Sequence, residues 1–228
     1  GSITESNAAQ STTGTLTITD IDSAATFAAQ TNTVGDHGYG KFSLTTSGAW
    51  TYTMDSAHNE FAAGQTYTDR FIAVAADGTT QTVTVTMTGT NDQPIMGSSV
   101  STTTAEDTAL RMQVSSLLVS PYMSDPDAGN AFKGIAISWN KAPTSVGTWA
   151  WSTNGSTGWT ALPSDMTGAD ASFNKVSNAV YLNASDYLRF TPAANYTGSV
   201  DQLLFRAADG TMADTVSGTR LNVSNYTG

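Results

Sequence analysis

The stretch DRFIAVAADGTTQTVTVTMTGTND, residues 69–92, decides the fold class. Its second half, QTVTVTMT at 81–88, alternates polar and apolar side chains with period two, which predicts a strand with one face on a core. DRFIAVA is a second short run, and the Asp77-Gly78 pair between the two supplies turn chemistry. The second run leaves through TGTNDQP, residues 88–94, which reads as a linker carrying two oxygen-bearing side chains, Asn91 and Asp92.

Outward from this hairpin the same signals recur. GTLTIT at 14–19 alternates with period two, and FSLTT and AWTYTM add short runs punctuated by Gly48 and by Ala63-Gly64. Roughly seven strands at this spacing predict a sandwich of immunoglobulin or cadherin type over residues 3–92. Beyond the linker, STTTAEDTALRMQV reads as two strands around a turn at Glu106-Asp107, and the acidic loop SDPDAGN follows. GIAISW, GTWAWST and GWTAL come next, with WAWSTNGSTGW as a hairpin turning at Asn154-Gly155. Residues 163–185 are irregular, and YLRFTP, DQLLFRAAD and DTVSGTRLNVS complete a second unit over 93–228 with an enlarged middle. The expected fold is all-β, two tandem immunoglobulin/cadherin-like β-sandwich domains.

Composition limits the function classes. A length of 228 residues suffices for two cored domains. The chain has 19 acidic against 9 basic residues and a net charge of −10, which argues against a nucleic-acid partner and favours cations. The absence of cysteine excludes disulfides, thiol catalysis and Cys-ligated zinc. No segment approaches the roughly 18 apolar residues of a membrane helix and no signal peptide is recognisable, so a soluble piece with no direct membrane insertion is expected. The leading Gly1-Ser2 reads as a cloning remnant.

An acidic pattern occurs twice. Asp20 and Asp22 follow the first alternating run and Ala76-Asp77-Gly78 comes later; Asp125, Asp127 and Asn130 occupy SDPDAGN and Ala208-Asp209-Gly210 comes later. Calcium takes six to eight oxygens at about 2.3–2.6 Å in irregular geometry, and this donor set suits it. Zinc would want His or Cys, whereas His37 and His58 sit in separate loops without ligand spacing and read as exposed. The competing reading is that Asp and Gly simply populate turns, where Asp side chains bond local backbone.

The residues also carry a family resemblance. TESNAAQSTTGTLTITDID, GKFSLTTSGAWTYTMD and FAAGQTYTDRFIAVAADGTTQTVTVTMTGTND closely resemble a VCBS repeat across the first unit. AEDTALRMQVSSLL, SDPDAGNAFKGIAIS, GTWAWSTNGSTGWTAL and LRFTPAANYTGSVDQLLFRAADGT resemble the cadherin-like repeats found beside VCBS repeats in giant RTX-type adhesins. Ser6 stands where that family often has Asp, and Trp151 where Tyr is usual. The resemblance implies type I secretion, folding outside the cell in calcium, and a place on the bacterial surface. Its partners would then be neighbouring repeats of the same chain, and the chain itself would be a monomer.

Strand direction in such a sandwich sorts the acids by pole. Asp125, Asp127 and Asp209 of the second unit, Asn91 and Asp92 of the linker, and Glu5 and Asp69 of the first unit are expected at one junction, with Asn130 beside them. Asp20, Asp22 and Asp77 fall at one free pole and Glu106 and Asp201 at the other, as half-sites completed by neighbouring repeats. The expected function is a calcium-rigidified extender segment of a surface adhesin that supports attachment or biofilm formation. No nucleophile elbow, metalloprotease helix or phosphate loop is present, and glycosidase chemistry needs one acid in an apolar pocket rather than acids in Gly-rich turns, so no enzyme is expected. The alternative is a ligand-binding second domain. Trp149 and Trp151, two apart on one strand, would there form a platform for a glycan or peptide, with Asn154 and Ser152 nearby; inward-facing, the same pair is core. Tyr196 reads as a structural corner residue.

Overall fold

Residues 80–88 form a strand because the alternation sends Val83, Val85 and Met87 into a core and leaves Thr82 and Thr84 in solvent. The structure, a computed structural model, describes residues 1–22, 24–127, 129, 131–163, 178–210 and 215–222. The chain is all-β, and it divides into two compact units. Unit one comprises Gly1–Asp92 with Pro126–Gly129, and unit two Gln93–Asp125 with Asn130–Gly228.

Unit one carries β1 (Ser2–Thr4), β2 (Ser11–Thr15), β3 (Gln30–Val34), β4 (Gly40–Leu44), β5 (Ala49–Met54), β6 (Thr66–Val74) and β7 (Thr80–Thr88). They form two sheets, ordered β1-β7-β6 and β2-β5-β4-β3. Neighbours are antiparallel except that β1 runs parallel to β7, with Ile3 opposite Met87. The sheets share one core. Trp50, Tyr52 and Met54 of β5 point inward on alternate positions, and Phe42 bridges to the other sheet with its ring 4.5 Å from those of Tyr52 and Phe71. Each such buried side chain is worth about 1.5–3 kcal/mol relative to exposure. The alternating GTLTIT contributes only its first two residues to β2. Ala49, opposite Thr15, begins β5, so beyond Thr15 the ladder gives way to a single bond from the Leu16 N–H to the Gly48 carbonyl at 2.9 Å, while Leu16 and Ile18 still pack on the core.

Unit two carries β8 (Ile95–Met96), β9 (Leu110–Gln113), a 3-10 turn at Val114–Leu117, β10 (Met123–Ser124), β11 (Gly134–Asn140), β12 (Gly147–Ser152), β13 (Thr160–Ala161), β14 (Ala179–Asn183), β15 (Tyr187–Pro192), β16 (Leu203–Ala208) and β17 (Arg220–Leu221). Two four-stranded sheets run β16-β11-β14-β17 and β13-β12-β15-β9, and β8 pairs with β10. GIAISW is apolar apart from Ser138, whose buried hydroxyl donates to the Leu204 carbonyl, because β11 is covered on both faces. Ile135 and Ile137 join the main core with Val180, Leu182 and Leu188, whereas Tyr181, Ala208 and Leu221 make a smaller cluster. Of the two strands expected in STTTAEDTALRMQV only β9 forms. The irregular region 163–185 contains β14, and its residues 164–177 lie outside those described. Among the described residues no helix is long and apolar enough to cross a membrane.

Candidate metal centre

The site begins with β1. Pairing in parallel with β7 carries Glu5 alongside the residues that leave β7, and the Glu5 N–H donates to the Thr88 carbonyl at 2.8 Å. The side chain is 2% exposed. Its Oε2 accepts from the Thr90 N–H at 3.0 Å and from the Thr90 hydroxyl, while the buried Oε1 accepts no hydrogen bond. Two residues on, Asp92 is buried, and its N–H donates at 2.9 Å to Oδ2 of Asp127, which is buried as well. Asn91 bonds the Asp92 carbonyl through its own amide at 3.1 Å.

Unit one therefore attaches three buried carboxylates, Glu5, Asp92 and Asp127, to the single segment 90–92. The donor chemistry is oxygen throughout and Glu5 Oε1 is buried without a hydrogen-bond donor, which suits a hard cation such as calcium, although Glu5, Asp92 and Asp127 do not bring their ligand atoms within 4.8 Å of one another.

Asp69 differs from the expectation of a ligand. It lies on the inward face of β6, fully buried, and accepts from the N–H groups of His37 (3.0 Å), Gly40 (3.1 Å) and Arg70 (3.2 Å) and from the Tyr52 hydroxyl (3.1 Å). Four donors occupy the acceptor positions of one carboxylate, which makes Asp69 a strut holding the β3–β4 turn to β6. Gly35 belongs to this arrangement, since a Cβ there would lie 2.0 Å from the Asp69 carboxylate. Burial, and then the Asp69 charge, push the Tyr52 hydroxyl pKa up. Asp36, His37 and Asp69 have ligand atoms mutually within 4.8 Å. Both Asp69 oxygens are already engaged, and Asp36 Oδ1 takes the Arg70 N–H and faces His37 Nδ1, both at 2.9 Å. Slight desolvation of Asp36 is outweighed by these hydrogen bonds, which hold it below the usual carboxylate range.

The remaining predicted ligands fall elsewhere. Asp125 and Asp209 belong to unit two, half-buried and buried respectively, and Asn130 lies outside the described residues. Asp77 is a turn residue, with its two oxygens taken by the N–H (2.8 Å) and hydroxyl (2.9 Å) of Thr79. Asp20 accepts from the Asp22 N–H at 3.0 Å, again a local turn. Glu106 is exposed at the rim of a cleft of about 220 Å³ in unit two, also lined by Phe190, Tyr196 and Val200, and Asp201 is exposed ahead of β16. Tyr196 donates its hydroxyl to the Ser199 carbonyl at 2.6 Å, a local corner bond.

The expected tryptophan platform packs largely inward. Trp149 and Trp151 are half-buried and pack against the unit-two core, Trp149 with its ring 5.2 Å from Phe190. Asn154 Oδ1 accepts the N–H groups of Ser156 and Thr157, both at 2.9 Å, and so shapes its own turn. The outer face of that sheet is instead covered by the turn itself. Gly155 sits on the Tyr187 ring with φ +69°, where a Cβ would lie 2.7 Å away, and the Arg189 guanidinium lies 4.2 Å over Trp159.

Thr90 was missed in the sequence, since nothing local marks a threonine that caps a carboxylate 85 positions earlier. No family model matches the chain, and no curated protein does.

Proposed function

We propose that the chain is a calcium-rigidified extender segment of a bacterial surface adhesin, built as two immunoglobulin/cadherin-like sandwiches and non-catalytic. The observation that carries the reading is the gathering of Glu5, Asp92 and Asp127 on residues 90–92, where unit one's chain leaves β7. Calcium there would be held by Glu5 Oε1 together with Asp92 and Asp127, whose ligand atoms would have to close on the ion from their present spacing. That would stiffen the exit segment that leads into the rest of the chain. Asp69 and Asp77 are left out of the ligand set because hydrogen-bond donors already use both of their oxygens, and Asp20 because its Oδ1 closes a local turn.

Three further points support the reading. In unit one, strands from both sheets supply a single shared core. The first and last strands of that unit, β1 and β7, run parallel, so the chain traverses both in the same direction. The absence of cysteine leaves burial and bound ions to stabilise these units outside the cell. Type I export belongs to the same proposal, since low cytosolic calcium would keep the chain loosely folded until release. At free calcium 100 times Kd each site would add about 2.7 kcal/mol of stability.

Calorimetric titration of calcium into the whole chain and into the Asp92→Ala, Asp127→Ala double variant tests the proposal. Wild-type binding that the double variant loses, with a rise in Tm on calcium, is the expected result. A wild-type chain that binds no calcium and melts identically in chelator would sink it.

A further inference from the structure

The loop between β5 and β6, residues 55–65, is built around His58. The sequence places this residue in an open loop, yet its side chain is 9% exposed, and the backbone there is left-handed at φ 58°. The imidazole lies parallel to Phe61 with centroids 4.8 Å apart and edge-on to Tyr39 at 5.3 Å. Phe61 in turn stacks on Tyr67.

The polar atoms at the two ring nitrogens are all acceptors. Nδ1 is 2.6 Å from Glu60 Oε1, and Nε2 is 2.8 Å from the Tyr39 carbonyl and 2.9 Å from Asp55 Oδ1. A neutral imidazole carries one N–H, so either tautomer would point a nitrogen lone pair at an oxygen. Only the imidazolium satisfies both sides. We infer that His58 is a proton-operated clasp: protonated, it ties Asp55 and Glu60 together and pins the loop to Tyr39, and deprotonated, it lets the loop loosen.

The loop is also fastened to the end of β7. The Gly64 N–H donates to the Gly89 carbonyl at 2.9 Å, and the Gly89 N–H to the Gln65 carbonyl at 3.0 Å. A Cβ on Gly89 would lie 2.4 Å from the Phe61 and Ala62 carbonyl oxygens, so contact there is close. The clasp's protonation state therefore bears on the residue just before Thr90. This inference stands whether or not unit one binds calcium.

The titratable groups around the ring are Asp55 and Glu60 of the loop, Tyr39 between β3 and β4, and Tyr67 of β6 beyond Phe61; His37, paired with Asp36, stacks on Tyr39. Burial alone would lower the His58 pKa, but the Glu60 and Tyr39 hydrogen bonds and the two carboxylate charges raise it. Desolvation likewise opposes ionisation of Glu60, and the His58 bond outweighs it and lowers the Glu60 pKa. A raised histidine stabilises fully below its unfolded pKa of about 6.5 and loses that contribution as pH rises through the folded value. The loop is then tightest in mild acid and loosens towards alkaline pH.

The test is an NMR titration of the His58 ring in the whole chain from pH 5 to 9, with amide exchange at Gly64 and Gly89 corrected for intrinsic base catalysis. The expected result is a midpoint above that of a free imidazole. Protection at both glycines should fall as His58 deprotonates, about tenfold for each unit of that difference. Glu60→Gln should lower the midpoint, and His58→Asn, which tolerates left-handed backbone, should abolish the pH step in protection. A midpoint at or below the free value, or glycine exchange that ignores the ionisation of His58, overturns the inference.

Discussion

Replacing Asp69 by Ala separates a strut from a metal ligand. The substitution removes acceptors from four donors, of which the Gly40 N–H and the Tyr52 hydroxyl make buried bonds. The His37 and Arg70 amides are partly exposed and can turn to water. Each stranded buried donor costs about 1–3 kcal/mol, so the two together cost about 2–6 kcal/mol, less the desolvation penalty that the carboxylate itself carried. The expected loss is about 3 kcal/mol, a large part of the 5–15 kcal/mol typical of a domain. Native-state amide exchange at Val83 and Val85, buried on β7, reads unit-one stability directly. The loss should be equal in chelator and in excess calcium. A loss below about 1 kcal/mol in chelator that appears only with calcium would return Asp69 to the ligand set and refute the strut.

Glu5→Gln should change sign with the ion: in chelator it removes a buried charge and stabilises unit one by about 1 kcal/mol, whereas in saturating calcium it destabilises. Urea unfolding in the two buffers checks this, and the same sign in both would remove Glu5 from the site. Trp149→Ala should cost unit two about 2–4 kcal/mol in the same assay, because the ring lies on the core against Phe190. A neutral substitution would reopen the platform reading.

The readable parts of the fold were those with one buried face. AWTYTM and QTVTVTMT become β5 and β7 with the buried positions on the predicted alternation. QTNTV gave no such signal, since β3 is an edge strand whose pairing shifts register around Asn32, at φ 51°, and none of its side chains is fully buried. β1 is only three residues long, and its place is set by a strand some 80 positions away, which no local pattern encodes. The candidate site was legible as chemistry but less so as grouping. Asp125 and Asp127 read as a pair, yet the chain divides between them, leaving Asp127 with unit one and Asp125 with unit two. Asp77, expected as a half-site, and Asn154, expected beside the platform, both sit in turns that commit their oxygens locally. His58 was misread as exposed because the acceptors around it come from Tyr39 as well as from Asp55 and Glu60.

The parallel pairing of β1 with β7 has a mechanical meaning. Tension along the chain draws the two strands in opposite senses, so their ladder is loaded lengthwise instead of being peeled from one end. The contacts Ser2↔Thr86, Ile3↔Met87 and Thr4↔Thr88, flanked by Thr86 N–H to the Gly1 carbonyl and Glu5 N–H to the Thr88 carbonyl, then resist together. In this shear geometry rupture requires several hydrogen bonds to fail in one event, which raises the barrier governing forced unfolding without any change in equilibrium stability.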